Sequence, residues 1–217
     1  MDAVSFSRRA VLGLAAVAGG SLLAGCKVVS IEAEKQAAAA GAFNAKAWAE
    51  QLWAPKVLPY FASSAKPLPD VLAAVAGDLD AAGKQFGYRP AAVGSAWSFA
   101  VTGQGTVVKK HTESRAGTLE VAVDGAAPDK PVIVQIGPVI IGSTIRDALP
   151  FVDFKDFTNQ LEFADAGKAL TALALAGITP VLESIKEGSK ISFSGAFPMT
   201  SKTDPVRIMP VTLKVLS

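Results

Sequence analysis

Ala96-Trp97-Ser98-Phe99-Ala100-Val101-Thr102-Gly103-Gln104-Gly105-Thr106-Val107-Val108-Lys109-Lys110 is the stretch on which the fold turns. Before Gly87 the apolar residues recur near a period of 3.6; after it the period is 2. Ala96 to Val101 therefore reads as a strand, Gly103-Gln104-Gly105 as a turn and Thr106 to Lys110 as the returning strand of a hairpin. The Gly-Gln-Gly run is not a phosphate cradle, because no helix start follows it.

Downstream, Thr118 to Asp124 alternates with Leu119, Val121 and Val123 inward. Asp124-Gly125 turns, and Val132 to Ile136 continues with Val132, Val134 and Ile136 inward. Phe151, Phe154 and Phe157 lie three apart, as on one face of a short helical turn. A helix is expected from Phe157 to about Ala176, ended by Gly177, with Thr179-Pro180 opening another through Lys186. Ser189 to Phe197 alternates again, with Ile191 and Phe193 inward, and Val206 to Leu216 reads as the closing strand.

Upstream, Phe43 to Phe61 reads as a helix capped by Asn44 and kinked or restarted at Pro55. Trp48, Leu52 and Trp53 share one face, which reads as a core-facing stripe, with a sugar-stacking platform as the alternative. Lys66 to Phe86 is a stronger helix, with Leu68, Val71, Leu72, Val75 and Leu79 on one stripe and Gly87 at its end. Asp78 and Asp80 are read as part of its solvated face. Helices first, then strands with one helical insertion, indicate an α+β protein. The expected architecture is a helical segment (43–90), then a small OB-like, partly open β-barrel (91–217) with a helical insertion at about 150–187.

The first 26 residues read as an address. Arg8 and Arg9 precede an uncharged run of 14 residues, Ala10 to Leu23, which closes on Leu23-Ala24-Gly25-Cys26. That is a charged start, an apolar region and a small-residue cleavage site. Residues 1–25 are the expected lipoprotein signal peptide, and Cys26 is the expected lipidation site and membrane anchor. Residues 26–42 form the tether. The run is short of the roughly 20 residues that span a bilayer. Ser7-Arg8-Arg9-Ala10-Val11-Leu12 also fits a twin-arginine export signal, although an ordinary signal explains the same letters.

Composition excludes several classes. Residues 1–25 hold two arginines and one aspartate, so without them the formal charge falls from +2 to +1. A nearly neutral protein lacks the basic stripe of a nucleic-acid binder. Cys26 is the single cysteine and His111 the single histidine, which leaves no ligand set for zinc and no Cys-His nucleophile. No serine has an elbow context for a hydrolase triad. Asp153 and Asp156, three apart on a turn, read as solvation or capping rather than as a glycosidase pair. No enzymatic activity and no cofactor are expected.

The most specific residues lie between Val134 and Gln160. Gln135, Arg146, Asp147, Asn159 and Gln160 supply amides, a carboxylate and a guanidinium, the set that matches the hydroxyls of a sugar or other polyol. The same groups equally serve inside a structure: Arg146 pairing with Asp147, Asp156 capping the next helix, and Asn159 and Gln160 satisfying backbone. Both readings stand on the sequence.

Gln135-Ile136-Gly137-Pro138-Val139-Ile140, Arg146-Asp147-Ala148 and Phe157-Thr158-Asn159-Gln160-Leu161-Glu162-Phe163-Ala164 resemble the DUF2291 family of predicted periplasmic lipoproteins. Gly188-Ser189-Lys190-Ile191, Gly195-Ala196-Phe197, Met209-Pro210-Val211, Trp53 to Pro59 and Phe86-Gly87 are similar too. Ile141 stands where that pattern commonly has Arg, and Thr171 where it has Asn. The resemblance implies no established activity. It implies a lipid-anchored accessory role beside sugar ABC importers, whose genes often neighbour those of family members. An exposed Trp48/Trp53 helix or Val139–Ile141 stretch is the expected contact surface for importer components. The alternatives are a stand-alone polyol-binding module and a structural envelope lipoprotein without a ligand.

Overall fold

Asn44 opens the first helix by local chemistry: its side-chain oxygen accepts from Ala47 N at 2.9 Å and replaces a missing intrahelical partner. In the computed structural model, residues 43–216 are described except 91–94, 127–130 and 141. The expectations for the signal peptide, Cys26, the tether and Ile141 lie outside the described residues. Helix α1 (Ala45–Leu52) leads into a π turn at Trp53–Val57 and then α2 (Leu58–Ser64). Pro55 has no N–H to donate, and the ladder widens there instead of breaking.

The expected single helix over 66–86 is two, α3 (Leu68–Gly77) and α4 (Leu79–Phe86). Asp78 divides them with an extended backbone, φ −145° and ψ 120°, and its carboxylate accepts from Ala81 N at 2.7 Å. A periodic apolar stripe survives such a break, so periodicity alone does not reveal it. Asp78 is exposed, as expected, and it also caps α4. Asp80 is not idle either: it accepts from Trp97 Nε1 at 2.8 Å, while the Arg89 guanidinium lies 4.2 Å from the Trp97 ring centroid.

The expected hairpin at 96–110 is one strand, β1 (Trp97–His111). Its first part pairs antiparallel with β4 (Lys190–Met199), and its second part with β2 (Thr118–Val123); the partners change around Gly105. The two glycines serve close packing, not a turn. A Cβ on Gly103 would meet the Phe193 ring at 2.5 Å, and one on Gly105 would meet the Ala122 carbonyl oxygen at 2.3 Å.

Strand β2 pairs with β3 (Val132–Gln135), and β4 pairs with β5 (Arg207–Val215). A parallel contact of two residue pairs, Ile133 with Arg207 and Val134 with Ile208, joins β3 to β5. The circuit β1-β2-β3-β5-β4 returns to β1 through this narrow seam, giving a small, partly open OB-like barrel.

Between β3 and β4 run α5 (Thr144–Asp147), a 3-10 turn at Phe154–Asp156 and α6 (Gln160–Leu182). Helix α6 is continuous, so Gly177 does not end it and Thr179-Pro180 does not start another. Pro180 lies close to the C-terminus of the helix and removes a single donor. Lys110 reaches across from β1 and donates to the carbonyls of Leu182 and Ile185, at 2.7 and 2.9 Å. A cation there also complements the negative end of the helix dipole.

The alternation sorts two apolar layers. Phe99, Val101, Val107, Leu119, Val121, Val134, Ile191, Phe193, Phe197 and Ile208 fill the barrel, joined by Leu68, Val71, Val75 and Ile178 from the helices and by Ile185 just after α6. On the outer face, Ala100, Ala196, Met209 and Val211 are buried, where α2, α5 and α6 pack on β1, β4 and β5. Phe99 and Phe197 stack at 5.2 Å inside.

Candidate functional site

Arg146 and Asp147 are the most fully bonded pair among the polar residues singled out from sequence. The short helix α5 places them beside α6 because Gly167 lets the two approach: a Cβ on Gly167 would stand 2.6 Å from Ser143 Oγ and 3.3 Å from Arg146 Nη1. Arg146 donates through Nε and Nη2 to Asp147 Oδ1 at 2.9 and 2.6 Å, and through Nη1 to the Phe163 carbonyl at 2.7 Å. Its guanidinium lies 3.6 Å from the Phe163 ring centroid, and only 11% of the side chain is exposed. The planar fork thus fastens α5 to the first turns of α6.

Asn159 caps α6, its side chain accepting from Glu162 N at 2.9 Å, while Glu162 accepts from Thr158 N at 3.0 Å. Asp156 does not cap this helix. It closes a capping box with Asp153 around the 3-10 turn. Gln160 is exposed on the first turn of α6. Gln135 sits on β3 opposite Thr118, with no side-chain hydrogen bond to the Arg146 group among the described residues. The structure therefore gathers Arg146 and Asp147, sets Asn159 one turn before Phe163, and leaves Gln135 apart.

Trp48, Leu52 and Trp53 are each half-buried. Trp48 meets Phe157 edge-on at 5.4 Å, Phe157 and Phe154 both meet Phe163, and Phe151 meets Tyr60. Phe154 and Phe157 turn to the same Phe163 ring, with Phe157 buried and Phe154 45% exposed, whereas Phe151 turns to Tyr60.

A second polar group forms where sequence reading did not look. Along the outer face, Thr102, Ser194 and Thr212 line up across β1, β4 and β5, and Gln104, Ser192 and Lys214 form the next row. These rows floor a groove of about 720 Å³, walled by Leu58, Phe61 and Ala62 of α2 and by Pro67 and Pro69. The Ser194 and Thr212 hydroxyls lie 2.8 Å apart. Asp124, with Lys190 at 3.5 Å, marks one end. Alternate polar residues at 102, 104 and 106 and at 190, 192 and 194 signal an outward face. Nothing local shows that a helix would wall it.

Comparison with known proteins fits this geometry. The model of one family, described as predicted periplasmic lipoprotein, matches residues 16–214. The chain belongs to the DUF2291 family. It is accordingly a lipoprotein of the cell envelope, held on the periplasmic side. A crystal structure of an OB-fold protein from Thermotoga maritima superimposes with a TM-score of 0.63 at 17% identity, covering 81% of this chain and 99% of that one. At that identity the likeness concerns the fold, and it agrees with the partly open barrel of this DUF2291 protein. No curated protein is matched by the sequence.

Proposed function

We propose that this protein is an accessory subunit of a carbohydrate ABC importer, anchored by acyl groups on Cys26 and acting through protein contact. The observation that carries the reading is the presentation of Val139. Ile136 N and Gly137 N both donate to the Gly117 carbonyl at 2.9 Å, and Val139 N donates to Arg115 O at 3.1 Å. Gly137 is pressed so closely on this strand lead-in that a Cβ there would lie 2.2 Å from Gly117 N. The segment is pinned, yet Pro138 is exposed and Val139 is 41% exposed.

A rigid apolar tip loses little conformational entropy on docking, so it suits a contact with another protein. The Trp48 helix offers less, since that ring already packs on Phe157. The gene-neighbourhood habit of the family supports an importer permease or its binding protein as the partner.

The test is cross-linking in intact cells followed by recovery with the importer subunits. Val139→Asp is expected to abolish recovery while leaving the unfolding temperature unchanged. Undiminished recovery with that variant, or no recovery of importer subunits with the unaltered protein, overturns the reading.

A further inference from the structure

We infer that the groove between α2 and the outer face of β1, β4 and β5 is a binding site for a neutral polyhydroxylated ligand, a mono- or disaccharide or an alditol. Its volume, about 720 Å³, falls in the range of small-molecule sites, about 300–1,000 Å³. The floor is polar and the wall apolar. Among the described residues, the Thr102 and Ser192 hydroxyls, the Gln104 amide and the Lys214 ammonium have no side-chain hydrogen-bond partner within the protein. Together they offer donors and acceptors on neighbouring strands, spaced about 4.5–5.5 Å apart as cross-strand pairs are.

The chemistry of the lining selects the ligand class. A purely apolar ligand would strip water from these hydroxyls and the amide without replacing its hydrogen bonds. An extended peptide adding a strand needs a free sheet edge, but the groove is floored by the face of the sheet, whose central strand β4 is paired with β1 on one side and β5 on the other. A polyanion needs clustered cations. Here Lys214 shares the lining with the carboxylate of Asp124, which already has Lys190 at 3.5 Å. Single-stranded nucleic acid also needs stacking rings, whereas Phe61 and Phe193 are 1% and 3% exposed. A polyol answers both surfaces, with hydroxyls for the floor and the C–H groups of its carbon skeleton for Leu58, Pro67 and Pro69.

The site is separate from the Arg146–Asp147 group and independent of the importer reading, because Val139 takes no part in its lining. The test uses the full-length protein in a detergent without a sugar headgroup. Pentoses, hexoses, disaccharides and alditols are titrated at millimolar concentrations while backbone amide resonances are followed. The expected result is saturable shifts at Thr102, Gln104, Ser192, Ser194 and Lys214 with at least one polyol. Gln104→Ala and Ser192→Ala should keep the native spectrum and weaken binding tenfold or more, while Val139→Asp leaves it unchanged. Three results overturn the inference: no saturable shift with any polyol, shifts centred on Arg146 and Asn159, or affinity untouched by both groove variants.

Discussion

Gly103 on β1 and Phe193 on β4 sit in direct register, and the phenyl ring fills the space that a side chain on Gly103 would occupy. Two positions on, Gly105 faces a harder neighbour, the Ala122 backbone carbonyl. A ring can tilt, whereas a carbonyl in a sheet cannot leave without breaking its ladder.

The two glycines should therefore respond differently. Gly103→Ala is expected to cost about 1–3 kcal/mol and to be largely relieved by Phe193→Leu. Gly105→Ala should cost more and find no single compensating substitution. Urea unfolding of the four variants, including the double, checks both statements.

Arg146→Lys is expected to behave almost as badly as Arg146→Ala, each losing about 2 kcal/mol. An ammonium cannot serve Asp147 and the Phe163 carbonyl together or lie flat on the Phe163 ring. Amide hydrogen exchange should localise the loosening to α5 and the first turns of α6. Full retention of stability by Arg146→Lys would refute the fastening role.

Lys110→Met keeps the aliphatic stem and removes the two bonds to the Leu182 and Ile185 carbonyls. The variant should fray the last turn of α6 and lower stability by about 1–2 kcal/mol. Faster amide exchange confined to the region of 176–185 is the signature.

Acid should weaken the fold through its capping carboxylates. Asp204 is held below its ordinary value of 3.8 by the Thr200 hydroxyl, then by the backbone N–H groups of Thr200 and Ser201; Asp78 is lowered chiefly by the Ala81 N–H, and Asp153 chiefly by Lys155 N–H. A carboxyl with a lowered folded pKa binds its proton more readily when unfolded. Its contribution is complete above the ordinary value and is lost as pH falls through the folded one. Stability should be level from neutral pH into the weakly acidic range and then decline. Asp204→Asn should flatten part of that acid limb in thermal unfolding followed across pH.

Cys26→Ser is expected to release the protein from the membrane fraction and to stop incorporation of labelled fatty acid. Retention of either property by the variant would remove Cys26 as the anchor.

Much of the barrel was legible because sheet alternation is a local property. Leu119, Val121, Val123, Val132 and Val134 announced their inward face, and they are buried. Asn44 announced its cap for the same reason, since donor and acceptor are three residues apart. The candidate groove was less legible. Its polar rows show in the alternation of β1, β4 and β5, but their assembly depends on register between strands that lie far apart in the sequence.

By itself, the sequence determined the order of the helical and strand regions, the α+β class and the resemblance to an envelope lipoprotein family. Those features rest on periodicity, capping and short motifs, which act over a few neighbouring residues. Tertiary structure decided what the punctuating residues mean. Gly103 and Gly105 carry a continuous strand because Phe193 and the Ala122 carbonyl crowd them, and α6 runs past Gly177 and Pro180 to carbonyls that Lys110 satisfies from 72 residues away at Leu182. Glycine permits a turn and a close approach equally. Only the neighbour that arrives when the barrel closes distinguishes them.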